Sequence, residues 1–250
     1  MNKLGRRSLS VATLALILLG GLAMGFRLTA GAATATAAPA VNTPALRYQV
    51  PVSSVVATAK TGSLPLYSSP EAVEPASVVA SPDPLGVDPV FLVRQQQGSW
   101  LYVYVPERPN GSSMWIPAQD VTLSTDPYAL TVSLSRHVLT AWKDGEPLFT
   151  TPAAVGKPST PTPTGTFFVT EVLRQPNPRG AYGPYAFGIS AFSDQLEHFG
   201  GGPGQIGVHG TNEPSSIGHA ASHGCVRLSN PTVTQLRSFL PLGTPVIIGR

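Results

Sequence analysis

Cysteine occurs once in 250 residues, at position 225. A disulfide within the chain is therefore excluded, and a metal site built on Cys-x-x-Cys pairs is excluded with it. Basic residues are neither abundant nor clustered. Lys3, Arg6, Arg7 and Arg27 fall within the first 38 residues, which hold no acid, so the formal charge of +3 for the whole chain becomes −1 once those four bases are set aside. A nucleic-acid surface needs a basic stripe on the folded part, and the scattered remainder offers none, so nucleic acid is set aside as a partner. No internal repeat is present. With 42% hydrophobic residues the chain has ample material for a packed core, and disorder is confined to a linker.

The first forty residues read as an export segment. A basic start is followed by an apolar run from Val11 to Phe26 and by small residues, with Ala35-Thr36-Ala37 as a cleavage site. The run is short for a membrane span, which needs roughly 20 residues, yet an uncleaved anchor stays open beside cleavage. The membrane is then met only through this segment. No cysteine lies near the apolar run, which excludes a lipoprotein anchor. From Ala30 to Pro51 the chain is Ala, Thr, Pro and Val without apolar periodicity, the composition of a linker.

Strand signals dominate the chain beyond the linker. "SSVVATA", "SLPLYSSP", "VFLVRQQQGSWLYVYV" and "SSMWIPAQDV" are short β-like runs separated by Pro, Gly and Ser. In "WLYVYV" alternation predicts Trp100, Tyr102 and Tyr104 on one face and Leu101, Val103 and Val105 on the other. From about residue 126 a second unit begins. Two alternating runs flank Lys143-Asp144-Gly145-Glu146, and Asp-Gly is a strong hairpin signal. His137 is expected on an alternating strand in a structural role. Gln175 to Gly204, rich in Gly, Pro and aromatics, reads as one long loop, and such loops are more often functional than idle. "SNPTVTQLRSFLPLG" predicts a helix with Asn230 as N-cap and Pro231 at N1. Val233, Leu236 and Leu240 repeat at helical spacing, and "TPVIIG" forms a last strand. The expected fold class is mainly β, divided as leader 1–40, linker and small β domain 41–125, and a second domain 126–250.

The chemistry gathers around Cys225. "GQIGVHG" reads as a strand ending at His209-Gly210, and twelve residues later comes "SHGCVRL". A free thiol with a pKa of about 8.5 is only a few per cent ionised at neutral pH, so a nucleophilic Cys225 needs a cation or a base, and His209, His219 and His223 precede it closely. Gly210 and Gly224 leave room for a substrate carbonyl at the backbone. Two rivals remain on spacing alone. One is a metal site, although His219 and His223 match the usual histidine pair only formally. The other is a buried, inert thiol.

The run "GVHGTNEPSSIGHAASHGCVRLSN", with "PTPTGTF" upstream, closely resembles the YkuD-type L,D-transpeptidase catalytic domain. That resemblance covers residues 126–250. It implies a β-sandwich-like domain with one helix near the cysteine, acting on peptidoglycan stem peptides without metal or other cofactor. It implies Cys225 as nucleophile, His209 as general base, Gly210 as the carbonyl that orients the ring, and Ser222, His223 and Gly224 as the rest of the motif. Backbone N–H groups near Gly224 and Cys225 would form the oxyanion hole. Arg227 is expected either to bind substrate or to brace the loop. The stretch 175–204 would cap the donor site, with Tyr182, Tyr185 and Phe187 as wall residues. His219 matches no required position. "GSW" and "MWIPAQDV" resemble the bacterial SH3-like domains of cell-wall enzymes, implying a spacer or a module for cell-wall glycan. The implied activity is cross-linking of stem peptides through a cysteine thioester, at the cell wall, the outer face of the cytoplasmic membrane or the periplasm. An L,D-carboxypeptidase, a protein-to-peptidoglycan tethering enzyme and a non-catalytic wall-binding protein stay open beside it.

Overall fold

A run of β-branched and aromatic residues broken every few positions by Gly, Pro or Ser forms strands rather than helices, because each run can bury one face and then must turn. The computed structural model obeys that rule; it describes residues 49–60, 62–83 and 86–250. The export segment and the start of the linker lie outside the described residues.

Seven strands come first: β1 (Ser54–Ala59), β2 (Gly62–Leu66), β3 (Ser77–Ser81), β4 (Val90–Gln97), β5 (Trp100–Tyr104), β6 (Ser113–Pro117) and β7 (Val121–Asp126). Five of them make an antiparallel sheet in the order β6-β5-β4-β1-β7, and β2 and β3 pair as a separate hairpin. The alternation in β5 is as expected, with Leu101 and Val103 fully buried and the aromatics half-buried on the other face. Leu64, Leu66, Phe91, Leu101, Val103 and Ile116 form the core of this part.

The remaining strands are β8 (Tyr128–Ser133), β9 (Val138–Lys143), β10 (Glu146–Pro152), β11 (Val155–Gly156), β12 (Gly165–Arg174), β13 (Tyr185–Phe192), β14 (Gln205–His209), β15 (Ala220–Ser222), β16 (Val226–Arg227) and β17 (Pro245–Gly249). Eight of them build one sheet, β10-β9-β8-β17-β12-β13-β14-β16. Two of its pairings, β17 with β8 and β14 with β16, are parallel. The β9–β10 turn has Asp144 at φ 52° and Gly145 at φ 80°, the backbone of a type I′ hairpin. The single α-helix among the described residues, α1 (Asn230–Arg237), lays Val233 and Leu236 onto the core of the large sheet. The protein is thus mainly β. Phe168 of β12, fully buried, packs with Val56, Val90 and Leu92 of the first sheet and joins the two parts.

Three expectations change. Residues 175–204 are not one loop: β13 lies within them, between β12 and β14. Its run from Ile189 to Phe192 is buried throughout, and a central strand covered on both faces shows no period-two alternation. His137 sits not on a strand but in the β8–β9 turn at φ 52°, a conformation that asparagine, aspartate and histidine tolerate better than most residues. The N-cap of α1 is Ser229, whose Oγ accepts the Thr232 N–H at 3.2 Å, and Asn230 is released for another task.

Candidate active site

β14 and β16 run side by side and parallel, with Val208 opposite Val226 and His209 opposite Arg227. Cys225 immediately precedes β16, so the pairing brings it beside the end of β14. The Cys225 Sγ accepts the Gly207 N–H at 3.4 Å. On the other side the loop is fixed by hydroxyls. Ser222 Oγ donates to the Cys225 carbonyl at 2.6 Å and accepts the Gly224 N–H at 3.1 Å. Thr162 Oγ1 donates to the Gly224 carbonyl at 2.7 Å, and Thr160 Oγ1 donates to that of Ser222 at 3.3 Å. Gly224 has φ 122°, and a Cβ there would strike the Ile206 side chain, so only glycine fits this bend.

His209 is buried, and its Nδ1 lies 2.5 Å from the Gly210 carbonyl. A carbonyl only accepts, so Nδ1 carries the proton and Nε2 keeps its lone pair. Burial lowers the His209 pKa from 6.5 to about 4, against the Gly210 hydrogen bond, which raises it, while the positive charge of Arg227 lowers it further. Burial pushes the Cys225 thiol up, opposed by the Gly207 N–H and by Arg227. Both groups are therefore neutral at rest, a thiol and an imidazole that line the same two cavities, rather than an ion pair.

Cys225 opens onto two cavities. One, of about 100 Å³, is lined by Tyr182, Phe199, His209, Ser222, His223 and Arg227. The other, of about 260 Å³, extends across Gly207 and Gly188 to Glu171. The Tyr182 ring meets that of His209 edge-on with centroids 4.8 Å apart. His223 is exposed, stacks on Phe199 at 5.3 Å and approaches Lys157 Nζ at 3.4 Å. Arg227 pairs with Glu213 at 2.7 Å, and its backbone exchanges two hydrogen bonds with Ala154.

Tyr185 is not brought to this place; it lines a separate cavity with Arg174, Gln175 and Pro184. Ala186 is the cross-strand partner of His209, so its neighbour Tyr185 points to the opposite face. Phe187 lines the larger cavity, although its side chain is fully buried and packs in the core. His219 is exposed, and among the described residues no three His, Cys, Asp or Glu groups converge as a metal site would require.

Asn230 is the residue that reasoning from sequence missed. Its Oδ1 accepts the Thr211 N–H at 2.9 Å, and a Cβ on Gly210 would collide with that oxygen. It thereby holds the turn whose carbonyl orients His209. A polar residue directly after a capping serine was the available signal.

The model of the L,D-transpeptidase catalytic domain, YkuD, matches residues 127–248. The candidate L,D-transpeptidase YkuD of Bacillus subtilis (strain 168) is 41% identical over 126 residues, which is 50% of this chain and 68% of that protein. Its namesake in Bacillus licheniformis is 43% identical over 124 residues, 50% of this chain and 67% of that protein. The chain belongs to the L,D-transpeptidase family. A solved L,D-transpeptidase from Mycobacterium smegmatis is also similar, at 19% identity and a TM-score of 0.43, covering 65% of this chain and 91% of that one.

Within this L,D-transpeptidase domain the backbone N–H groups of Gly224 and Cys225 are unequal. The Gly224 N–H is engaged by Ser222 Oγ, whereas the Cys225 N–H meets no acceptor among the described residues.

Proposed function

We propose that the protein is a peptidoglycan L,D-transpeptidase working through a Cys225 thioester. The observation that carries the proposal is the His209–Cys225 arrangement: a neutral imidazole with Nδ1 tied to Gly210 and Nε2 open, sharing two cavities with a protonated thiol. Sγ attacks the carbonyl between the third and fourth residues of a tetrapeptide stem while His209 Nε2 takes the thiol proton. The tetrahedral oxyanion falls to the Cys225 N–H, with Gly224 able to join if Ser222 Oγ turns away. The C–N bond breaks, Nε2 passes its proton to the departing D-alanine amine, and a thioester remains. A diamino-acid side-chain amine of a second stem then adds to the thioester, gives its proton to Nε2, and expels the thiol.

Two cavities suit two large substrates on one sulfur. Glu171 lies in the larger one, half-buried, its carboxyl raised by burial first and by the nearby Asp83 second. A carboxylate there is complementary to an incoming amine, which favours aminolysis over release to water. We assign Arg227 to bracing, since its guanidinium is committed to Glu213. His223 and Tyr182 are assigned to the cavity wall. The chain is proposed to be exported and to work at the cell wall, with a linker and an SH3-like domain within 41–125 whose half-buried aromatic face, Trp100, Tyr102 and Trp115, fits contact with glycan.

Intact mass after incubation with a disaccharide tetrapeptide tests this. Wild type should gain the substrate mass less D-alanine, and Cys225→Ala should gain nothing. No adduct and no turnover in wild type would refute the transpeptidase reading.

A further inference from the structure

The loop joining β5 to β6 belongs to the first sheet yet reaches the active-site side of the second. Arg108 Nη1 donates to the Pro203 carbonyl at 3.0 Å, and Nη2 donates to those of Ser193 at 3.1 Å and Leu196 at 3.2 Å. Its guanidinium carbon lies 4.8 Å from the centre of the Phe192 ring. Asn110 Nδ2 donates to the Phe192 carbonyl at 2.7 Å and to Asp194 Oδ1 at 3.0 Å, while its Oδ1 accepts the Phe192 N–H at 2.8 Å. That two-way exchange is what a neighbouring strand would offer. Every partner belongs to the end of β13 or to the segment 193–204 between β13 and β14.

This segment has little else to hold it. Ser193 and Gly204 close its base through one backbone hydrogen bond of 2.8 Å, and Phe199 and Gly202 exchange two of 3.0 Å at its tip. Between these points the residues are mostly exposed. Phe199, 45% exposed, is the tip's one large apolar side chain. It lines both cavities that open on Cys225 and stacks on His223. A segment with few buried contacts and an exposed backbone opens easily, so whatever fixes its two arms fixes the position of Phe199.

We propose that Arg108 and Asn110 are positioning residues of the active site: they clamp segment 193–204 as a lip over Cys225, so that the first sheet sets the width of the substrate cleft. Arginine suits the task because its planar fork can serve carbonyls from both arms at once, which a lysine point charge cannot. The inference concerns the lip itself and rests on the transpeptidase reading only for its kinetic readout.

The test uses the full chain with Arg108→Ala, Arg108→Lys and Asn110→Asp. Hydrogen–deuterium exchange across 193–204 should quicken about tenfold in Arg108→Ala while β8 and β17 exchange as before, and alkylation of Cys225 by a maleimide should be several-fold faster. With a tetrapeptide substrate, KM should rise several-fold and kcat change little. Should Arg108→Ala fail to fold, Arg108→Lys must still show the faster exchange and alkylation. Wild-type exchange and alkylation in the folded variants would overturn the clamp. If no protein turns over the tetrapeptide, the transpeptidase reading falls, and exchange and alkylation still decide the clamp.

Discussion

Burial acts in opposite senses on the two groups proposed to react, His209 and Cys225. It favours the neutral form of each, which holds the His209 pKa near 4 and raises that of Cys225 above its usual range. The acid limb of kcat/KM should therefore fall near pH 4 rather than near 6.5, and alkylation of Cys225 should still be rising beyond pH 9. The same depression is a statement about stability. The unfolded chain protonates His209 at about 6.5, so its contribution is fully present above that pH and is lost as pH falls from there towards 4. A urea midpoint that rises over this window in wild type, and rises less in His209→Gln, would bear the assignment out. That Cys225 and His209 come to one place was legible because a sulfur nucleophile needs a base and the motif names both. Tyr185 was misplaced because an aromatic in a glycine-rich stretch carries no parity until the strand containing it is known.

Elements decide what the local sequence leaves ambiguous. At the start of α1, Ser229 and Asn230 are both good capping residues, and only the fold divides their work between helix and active site. Ser229→Ala should cost about 1 kcal/mol of stability with acylation by the tetrapeptide nearly unchanged. Asn230→Ala should slow acylation about tenfold, the effect of losing roughly one hydrogen bond's worth of positioning, for a similar change in melting temperature. The β9–β10 hairpin and α1 were readable because their signals are local, an Asp-Gly turn and an apolar helical stripe. β13 was not, because its pattern is set by the strands and helix around it and not by water on one face.

The whole molecule is tied together at a few points. Phe168 fills a cluster shared by both sheets, and Thr244 Oγ1 donates to buried Asp126 Oδ2 at 2.6 Å, linking the segment after α1 to the end of β7. Phe168→Ala should cost about 3–5 kcal/mol. Because the cluster belongs to both sheets, hydrogen exchange should accelerate in β1 and β4 as well as in β12 and β17. Acceleration confined to the second sheet would mean that the two parts unfold independently. This joint was not legible in the sequence, since nothing in "TGTFFVTEV" tells which of two adjacent phenylalanines faces the partner sheet.

The frame that presents the sulfur is made of Thr160, Thr162, Ser222 and backbone carbonyls, none of which ionises over the range in which an imidazole or a thiol does. Acidity can therefore alter the reagent without deforming its mount. In surroundings whose proton concentration varies, the proposed site should dim and recover reversibly, and its titration curve should read out the proposed base and nucleophile.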